Sequence, residues 1–180
     1  MTFDDGPVPG FTNEILSILN QFDAKATFFC VGENVKNHKK EFEEILKYGN
    51  LVGNHTFNHL KGRQTSFEAY ISNILKSRNL YETKLFRPPY GRITAKQINE
   101  VSKKFKIIMW TVLTGDFDKN VSKEKCLKNA INYTRKGSII VFHDNKKTKD
   151  KVLFALPKFL EYFSKKGYSF ETLNENVLKF

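Results

Sequence analysis

Thr12-Asn13-Glu14-Ile15-Leu16-Ser17-Ile18-Leu19-Asn20-Gln21-Phe22, followed four residues on by Ala26-Thr27-Phe28-Phe29-Cys30-Val31, is the stretch that decides the fold. Ile15, Leu16, Ile18, Leu19 and Phe22 fall on one helical face, whereas Ala26 to Val31 is a short β-rich run. The pair reads as a helix leading into a strand. Downstream the spacing predicts a charged helix from about Glu33 to Tyr48 stopped by Gly49, and a short strand at Leu51 and Val52. A helix from about Ser66 to Leu80 follows, with Thr65 and Glu68 at capping-box spacing, then a strand at Leu85 to Arg87. A helix opened by Thr94 with Gln97 leads to a strand at Lys106 to Trp110. The chain closes with a helix from near Ser122 that stops before Gly137, a strand at Ser138 to Phe142, a helix with Pro157 near its start, and a strand at Tyr168 to Thr172. With Thr2-Phe3, a first strand truncated because only Met1 precedes it, the count is seven strands. Such alternation implies a parallel sheet covered by helices. Seven or eight such units can close into a (β/α) barrel, so the fold class is α/β with about seven strands.

The 180 residues contain no Pro/Gly/Ser-rich linker, and one domain spanning residues 1–180 is expected. Thirty Lys plus Arg against nineteen Asp plus Glu give a net charge of +11. The excess is almost all lysine, and it is scattered. Arg63, Arg78, Arg87, Arg92 and Arg135 are the only planar forks suited to phosphate or guanine, which argues against a specific nucleic-acid partner and leaves loose attraction to an anionic cell surface. No apolar run approaches the roughly 20 residues of a transmembrane segment. Met1-Thr2-Phe3-Asp4-Asp5 lacks the basic and apolar regions of a signal peptide, so the chain is expected to be soluble, with its compartment open. Cys30 and Cys126, 96 positions apart, read as ordinary reduced thiols.

Most unusual polar residues fall just after a predicted strand: Asp4 and Asp5, Asn54 to His59, Arg87 to Gly91, Asp116, and His143 with Asp144. In barrels of this kind that rim carries the chemistry. His55 and His59, at i, i+4 spacing, would lie on one side of a helical turn and grip a cation, although such a pair alone also suits plain surface polarity. A strand-end carboxylate supplies the third ligand of a divalent site. The adjacent Asp4 and Asp5 suit one ligand and one base. Arg87 and Asp116 also fit a structural ion pair, Trp110 a core residue, His38 a solvated one, and Asp118 and Asp144 turn or cap residues.

Thr2-Phe3-Asp4-Asp5-Gly6-Pro7 resembles the TFDDGP motif of polysaccharide deacetylases of the NodB-homology type, carbohydrate esterase family 4. In order, Asn54-His55-Thr56-Phe57-Asn58-His59 resembles the H-(S/T)-x-x-H motif of that family, Arg87-Pro88-Pro89-Tyr90-Gly91 its RxxPY motif, and Val141-Phe142-His143 its LxH motif. Asp116-Phe117 falls where the family has the end of DxxDW, so the likeness runs from Thr2 to about Thr172. It implies a NodB-like distorted barrel and one divalent metal, zinc with cobalt or nickel as substitutes, on Asp5, His55 and His59. It further implies Asp4 as general base held by Arg87, the Tyr90 N–H beside Pro89 as oxyanion donor, and His143 as general acid kept protonated by Asp116. The substrate so implied is an acetylated glycan.

Three departures alter the walls: Leu113 replaces the first Asp of DxxDW, Phe117 its Trp, and Val141 the Leu that helps line the acetyl-methyl pocket. Trp110 is the candidate sugar platform. The leading expectation is N-deacetylation of an N-acetylglucosamine-containing polymer, chitin-like or peptidoglycan, with O-deacetylation as on xylan and a small amide or formyl group as alternatives. A ferrous oxygenase fits the ligand triad but not the strand–helix alternation, and a non-catalytic glycan-binding module would not need Asp4 and His143.

Overall fold

The computed structural model describes residues 1–174. Its strands are β1 (Thr2–Asp5), β2 (Thr27–Cys30), β3 (Leu51–Asn54), β4 (Leu85–Phe86), β5 (Lys106–Ile107), β6 (Val112–Leu113) and β7 (Ile140–His143). Helices α1 (Phe11–Gln21), α2 (Gly32–Asn37), α3 (Lys39–Lys47), α4 (Phe67–Arg78), α5 (Ala95–Val101), α6 (Lys123–Tyr133) and α7 (Lys149–Ser164) fall between and after them, with α2 and α3 both between β2 and β3. Every pairing is parallel, in the order β5-β4-β3-β2-β1-β7-β6. Residues 108–111 alone link β5 to β6, yet these strands occupy opposite edges of the sheet. Because five residue steps reach at most about 18 Å, the sheet must curl until its edges approach. The result is an incompletely closed barrel, the distorted form that the family resemblance implies.

Side-chain alternation sorts the strands into two faces. Phe3, Phe28 and Phe142 lie in register on β1, β2 and β7 and stack on the helix-facing side, with centroids 5.0 and 5.9 Å apart. There they join the main core with Ile15 and Leu19 of α1 and Leu156 and Phe159 of α7. Inside the curl sit Phe29, Leu85, Asp4, Thr2 and Arg87. Gly53, opposite Phe29 in the ladder, leaves room for that ring, since an added Cβ would come within 2.4 Å of it.

Several elements differ from their expected form. The charged helix breaks at His38 (φ −131°, ψ 53°) into α2 and α3, at the weak helix formers Asn37 and His38. The cap of α4 is Ser66, whose Oγ accepts from Ala69 N, while Thr65 Oγ1 donates to Lys61 O. Strand β5 stops at Ile107, because its neighbour β4 runs into Pro88 and Pro89, which have no N–H to give, and the Ile108 and Met109 carbonyls turn to Arg87. Strand β6 was not anticipated, and Tyr168 to Thr172 is not a strand. Both edges of β2 are already taken by β1 and β3, so that segment makes only single bonds near it, Lys25 N to Phe170 O and Leu173 N to Thr27 Oγ1. Pro157 lies in the middle of α7, not near its start. Strand β1 extends past Phe3 to Asp5 and pairs over all four residues with β2.

Candidate active site

The carboxyl ends of β1, β3, β4 and β7 deliver the polar residues to one rim. Asp5 Oδ1 lies 3.2 Å from His59 Nε2 and 3.7 Å from His55 Nε2. One ligand atom from each of the three falls within 4.8 Å of the others. The two imidazoles do not share a helical turn as the spacing suggested. They sit on a loop after β3 in which Thr56 (φ 63°) and His59 (φ 55°) are left-handed, and its Thr56 and Phe57 carbonyls accept from the first N–H groups of α2. With Asp5 (φ 84°) and Tyr90 (φ 59°), four of the five non-glycine residues with positive φ among the described residues belong to this rim. Backbone cost of that kind, about 1 to 3 kcal/mol each, persists where side-chain placement matters.

The chemistry of these donors fits a divalent cation. His55 Nδ1 is 2.7 Å from the Arg87 carbonyl, an acceptor only, so Nδ1 carries the proton and Nε2 presents its lone pair. Burial moves the His55 pKa down to about 4, against the upward pull of Asp4, which keeps the ring neutral. Asp5 Oδ1 is buried and has no hydrogen-bond partner. Burial alone would push its carboxyl up, but the close approach of His59 and the charges of His143 and His55 hold it below the usual carboxylate range.

Asp4, one residue earlier and buried, faces the barrel interior. Its Oδ1 accepts from Arg87 Nη1 at 2.7 Å. The guanidinium, fully buried, also donates to Thr2 Oγ1, Ile108 O and Met109 O and lies 4.1 Å from the Phe29 ring centroid. It therefore ties β1 to β4 across the curl. Tyr90 follows Pro88-Pro89 in a 3-10 turn, and no acceptor among the described residues takes its N–H. Pro89 is buried within that turn and is not among the residues lining the groove. Gly91 (φ 64°) has no room for a Cβ, which would meet Trp110 at 2.6 Å, so the indole packs directly on the turn.

On the other side, His143 Nδ1 is 2.8 Å from Asp116 Oδ1, and its backbone N–H donates to Asp116 Oδ2 at 2.6 Å. Burial opposes protonation of this ring, but Asp116, then Asp4 and Asp5, outweigh it and raise the pKa to about 9. Nε2 is left available to the groove. Phe117, half exposed, stands edge-on to the imidazole with centroids 5.2 Å apart. Trp110, Leu113, Phe117 and Val141 form walls of an open groove of about 780 Å³ that also holds Asp4, Asp5, His55, His59, Tyr90 and His143.

The structure adds residues that the motifs did not reveal. Lys61, Arg92, Lys147, Glu33, Asn34 and Asn145 also line the groove. Their one sequence signal is adjacency: Lys61 and Asn145 stand two residues beyond His59 and His143, and Arg92 directly follows Gly91. Asp144 is not the expected turn residue: it is buried, its Oδ2 accepts from Thr12 Oγ1 at 2.6 Å, and burial raises its pKa to about 7. Asp118 does cap a turn, with its Oδ1 accepting from Asn120 N.

Comparison with known proteins shows the family to which the chain belongs. Residues 1–108 match the polysaccharide deacetylase family model. A peptidoglycan-N-acetylglucosamine deacetylase of Bacillus cereus is 33% identical over 97% of this chain and 85% of its own length. A solved peptidoglycan N-acetylglucosamine deacetylase in complex with 4-naphthalen-1-yl-N-oxidanyl-benzamide superimposes with a TM-score of 0.90, at 33% identity over 96% of this chain and 84% of that one. The structure of the peptidoglycan deacetylase PdaC from Bacillus subtilis gives a TM-score of 0.88 at 29% identity, over 98% of this chain and 88% of that one. The chain spans only 38% of the full PdaC sequence, a peptidoglycan-N-acetylmuramic acid deacetylase. With its motifs, its curled parallel sheet and these relatives in agreement, the chain belongs to the polysaccharide deacetylase family of the NodB-homology type, carbohydrate esterase family 4.

Proposed function

We propose that the chain is a metal-dependent hydrolase that removes N-acetyl groups from an N-acetylglucosamine-containing polymer of the peptidoglycan type, releasing acetate and leaving a free amine. The observation that carries this reading is convergence: an Asp-His-His triad, an arginine-held carboxylate and a carboxylate-held imidazole open onto one groove. Asp5, His55 and His59 would hold the metal, and zinc suits their nitrogen and oxygen donors, with cobalt or nickel as substitutes. Bound there, the metal supplies a Lewis acid for the amide carbonyl and lowers the pKa of water.

Asp4 takes the proton of the attacking water as its oxygen adds to the carbonyl carbon. Arg87 holds that carboxylate in place at 2.7 Å. The Tyr90 N–H donates to the oxygen on which negative charge develops. His143, protonated through Asp116, gives its proton to the nitrogen as the C–N bond breaks. An amine leaves poorly without such a proton, so this acid favours N-acetyl over O-acetyl substrates. Val141, Leu113 and Phe117 enclose the acetyl methyl, and Trp110 flanks the sugar.

Lys61, Arg92 and Lys147 favour an acidic glycan over a neutral chitin oligomer. Among the described residues no carboxylate pairs with any of the three, and Glu33 is the one exposed acid beside them. Acetate release from peptidoglycan fragments and from chitin oligomers, with chelator and then with zinc restored, tests the reading. Release should stop with chelator, return with zinc, and be faster on peptidoglycan. A zinc-loaded chain that released no acetate from either glycan would be a binding module instead.

A further inference from the structure

We propose that Asn145 is a positioning residue for the metal-binding carboxylate, holding Asp5 Oδ2 so that Oδ1 is reserved for a cation between Asp5, His55 and His59. The inference rests on the metal site proposed above and assigns a role to a residue outside the motifs. Asn145 Nδ2 donates to Asp5 Oδ2 at 3.0 Å, whereas the sister oxygen, Oδ1, is the buried atom without a hydrogen-bond partner that faces both imidazoles. The two oxygens of one carboxylate thus have separate tasks.

The amide is fixed before any cation arrives. Its Oδ1 accepts from Lys147 N at 2.9 Å, which settles the orientation of oxygen and nitrogen. Thr148 Oγ1 donates to His143 O at 2.6 Å and to Asn145 O at 2.8 Å, binding the turn to the end of β7. The Asp5 main chain is held independently, by Asn34 Nδ2 on its carbonyl at 2.9 Å. What remains free in Asp5 is rotation of the carboxylate, a broad and roughly two-fold torsion. Asn145 restricts that rotation.

A neutral amide suits the task. Lysine at this position would repel a divalent cation, and a carboxylate would repel Asp5. Partners of this kind, behind the ligands themselves, typically change metal affinity by about 10- to 100-fold. Because Asn145 also shapes a turn, the test has to separate the two roles. In Asn145→Ser the hydroxyl can still accept from Lys147 N, as serine does in such turns, but it is too short to reach Asp5.

Zinc affinity of the full chain, measured by competition with a chromogenic chelator, should fall about 10- to 100-fold in both Asn145→Ser and Asn145→Ala. Lys146→Ala, on the same turn, should leave it unchanged, and the melting temperatures of the metal-free proteins should coincide. Asn145→Ser with wild-type zinc affinity would overturn the proposal and reduce Asn145 to a turn residue. A wild-type chain that took up no zinc would instead sink the metal reading itself, so the two failures are distinct.

Discussion

Phe3 and Asp4 are neighbours on β1, yet they belong to regions built on opposite principles. Phe3 points to the helices, where Phe28 and Phe142 flank it within the main apolar core. Asp4 points into the curl, where Arg87 meets it and donates its remaining hydrogen bonds to Thr2 Oγ1 and to two main-chain carbonyls. The outer face is held by non-directional burial, which scales with area and tolerates exchange of one apolar shape for another. The inner face is held by directed bonds around a buried charge, for which loss of one partner leaves another uncompensated. One strand can therefore carry stability on one side and chemistry on the other. Substitutions on the two faces should fail in different measurements.

The sharpest contrast comes from Asp4→Asn. The amide keeps the shape and an acceptor for Arg87 but cannot take a proton at neutral pH, so turnover should fall by about a hundredfold to ten-thousandfold with the metal still bound. Loss of the metal, with activity restored by adding it back, would exchange the roles of Asp4 and Asp5. Phe142→Ala, on the outer face, should do the reverse. Emptying a fully buried ring site costs about 3 to 5 kcal/mol of unfolding free energy, read by denaturant titration, while turnover per folded molecule stays close to wild type. An equal loss of turnover would mean that the faces are not separable.

A smaller effect sharpens the picture at His143. Its pKa is raised from the usual 6.5 to about 9, so the acid form is present below that value and is lost as pH rises through it. Turnover of an N-acetylglucosamine oligomer should accordingly decline on the alkaline side, and a bound dication can only move that limb downward. Asp116→Asn removes the main upward pull and should shift the limb to lower pH. Activated esters, whose leaving groups need no proton, should show little change. An unmoved limb with equal losses on both substrates would make His143 a wall residue.

Local signals explain which parts of this molecule were legible in its sequence. Amphipathic spacing marked α1, and Thr94 with Gln97 marked α5, because both act within a few residues. The motif residues clustered at strand ends, so the rim was visible before its geometry. What escaped depends on distant partners. Strand β5 is shortened by Arg87 drawing off the carbonyls beyond it, and β6 exists because β7 offers a free edge. Likewise, Tyr168 to Thr172 has strand composition, but the strand beside it, β2, has both edges taken. Spacing placed His55 and His59 together for the wrong reason: a left-handed loop, not a helical turn, brings them to Asp5. Asn145 carried no signal beyond its nearness to His143, since its partner lies 140 positions away.

Metal analysis of the purified chain beside its His55→Ala/His59→Ala double variant tests the central claim most directly. The wild-type chain should retain one equivalent of a divalent cation, with zinc preferred, through ligands near 2.0 to 2.2 Å. The double variant should retain essentially none while keeping its fold by circular dichroism. One equivalent still bound in the folded double variant would contradict the claim that Asp5, His55 and His59 form the metal centre at the rim of the barrel.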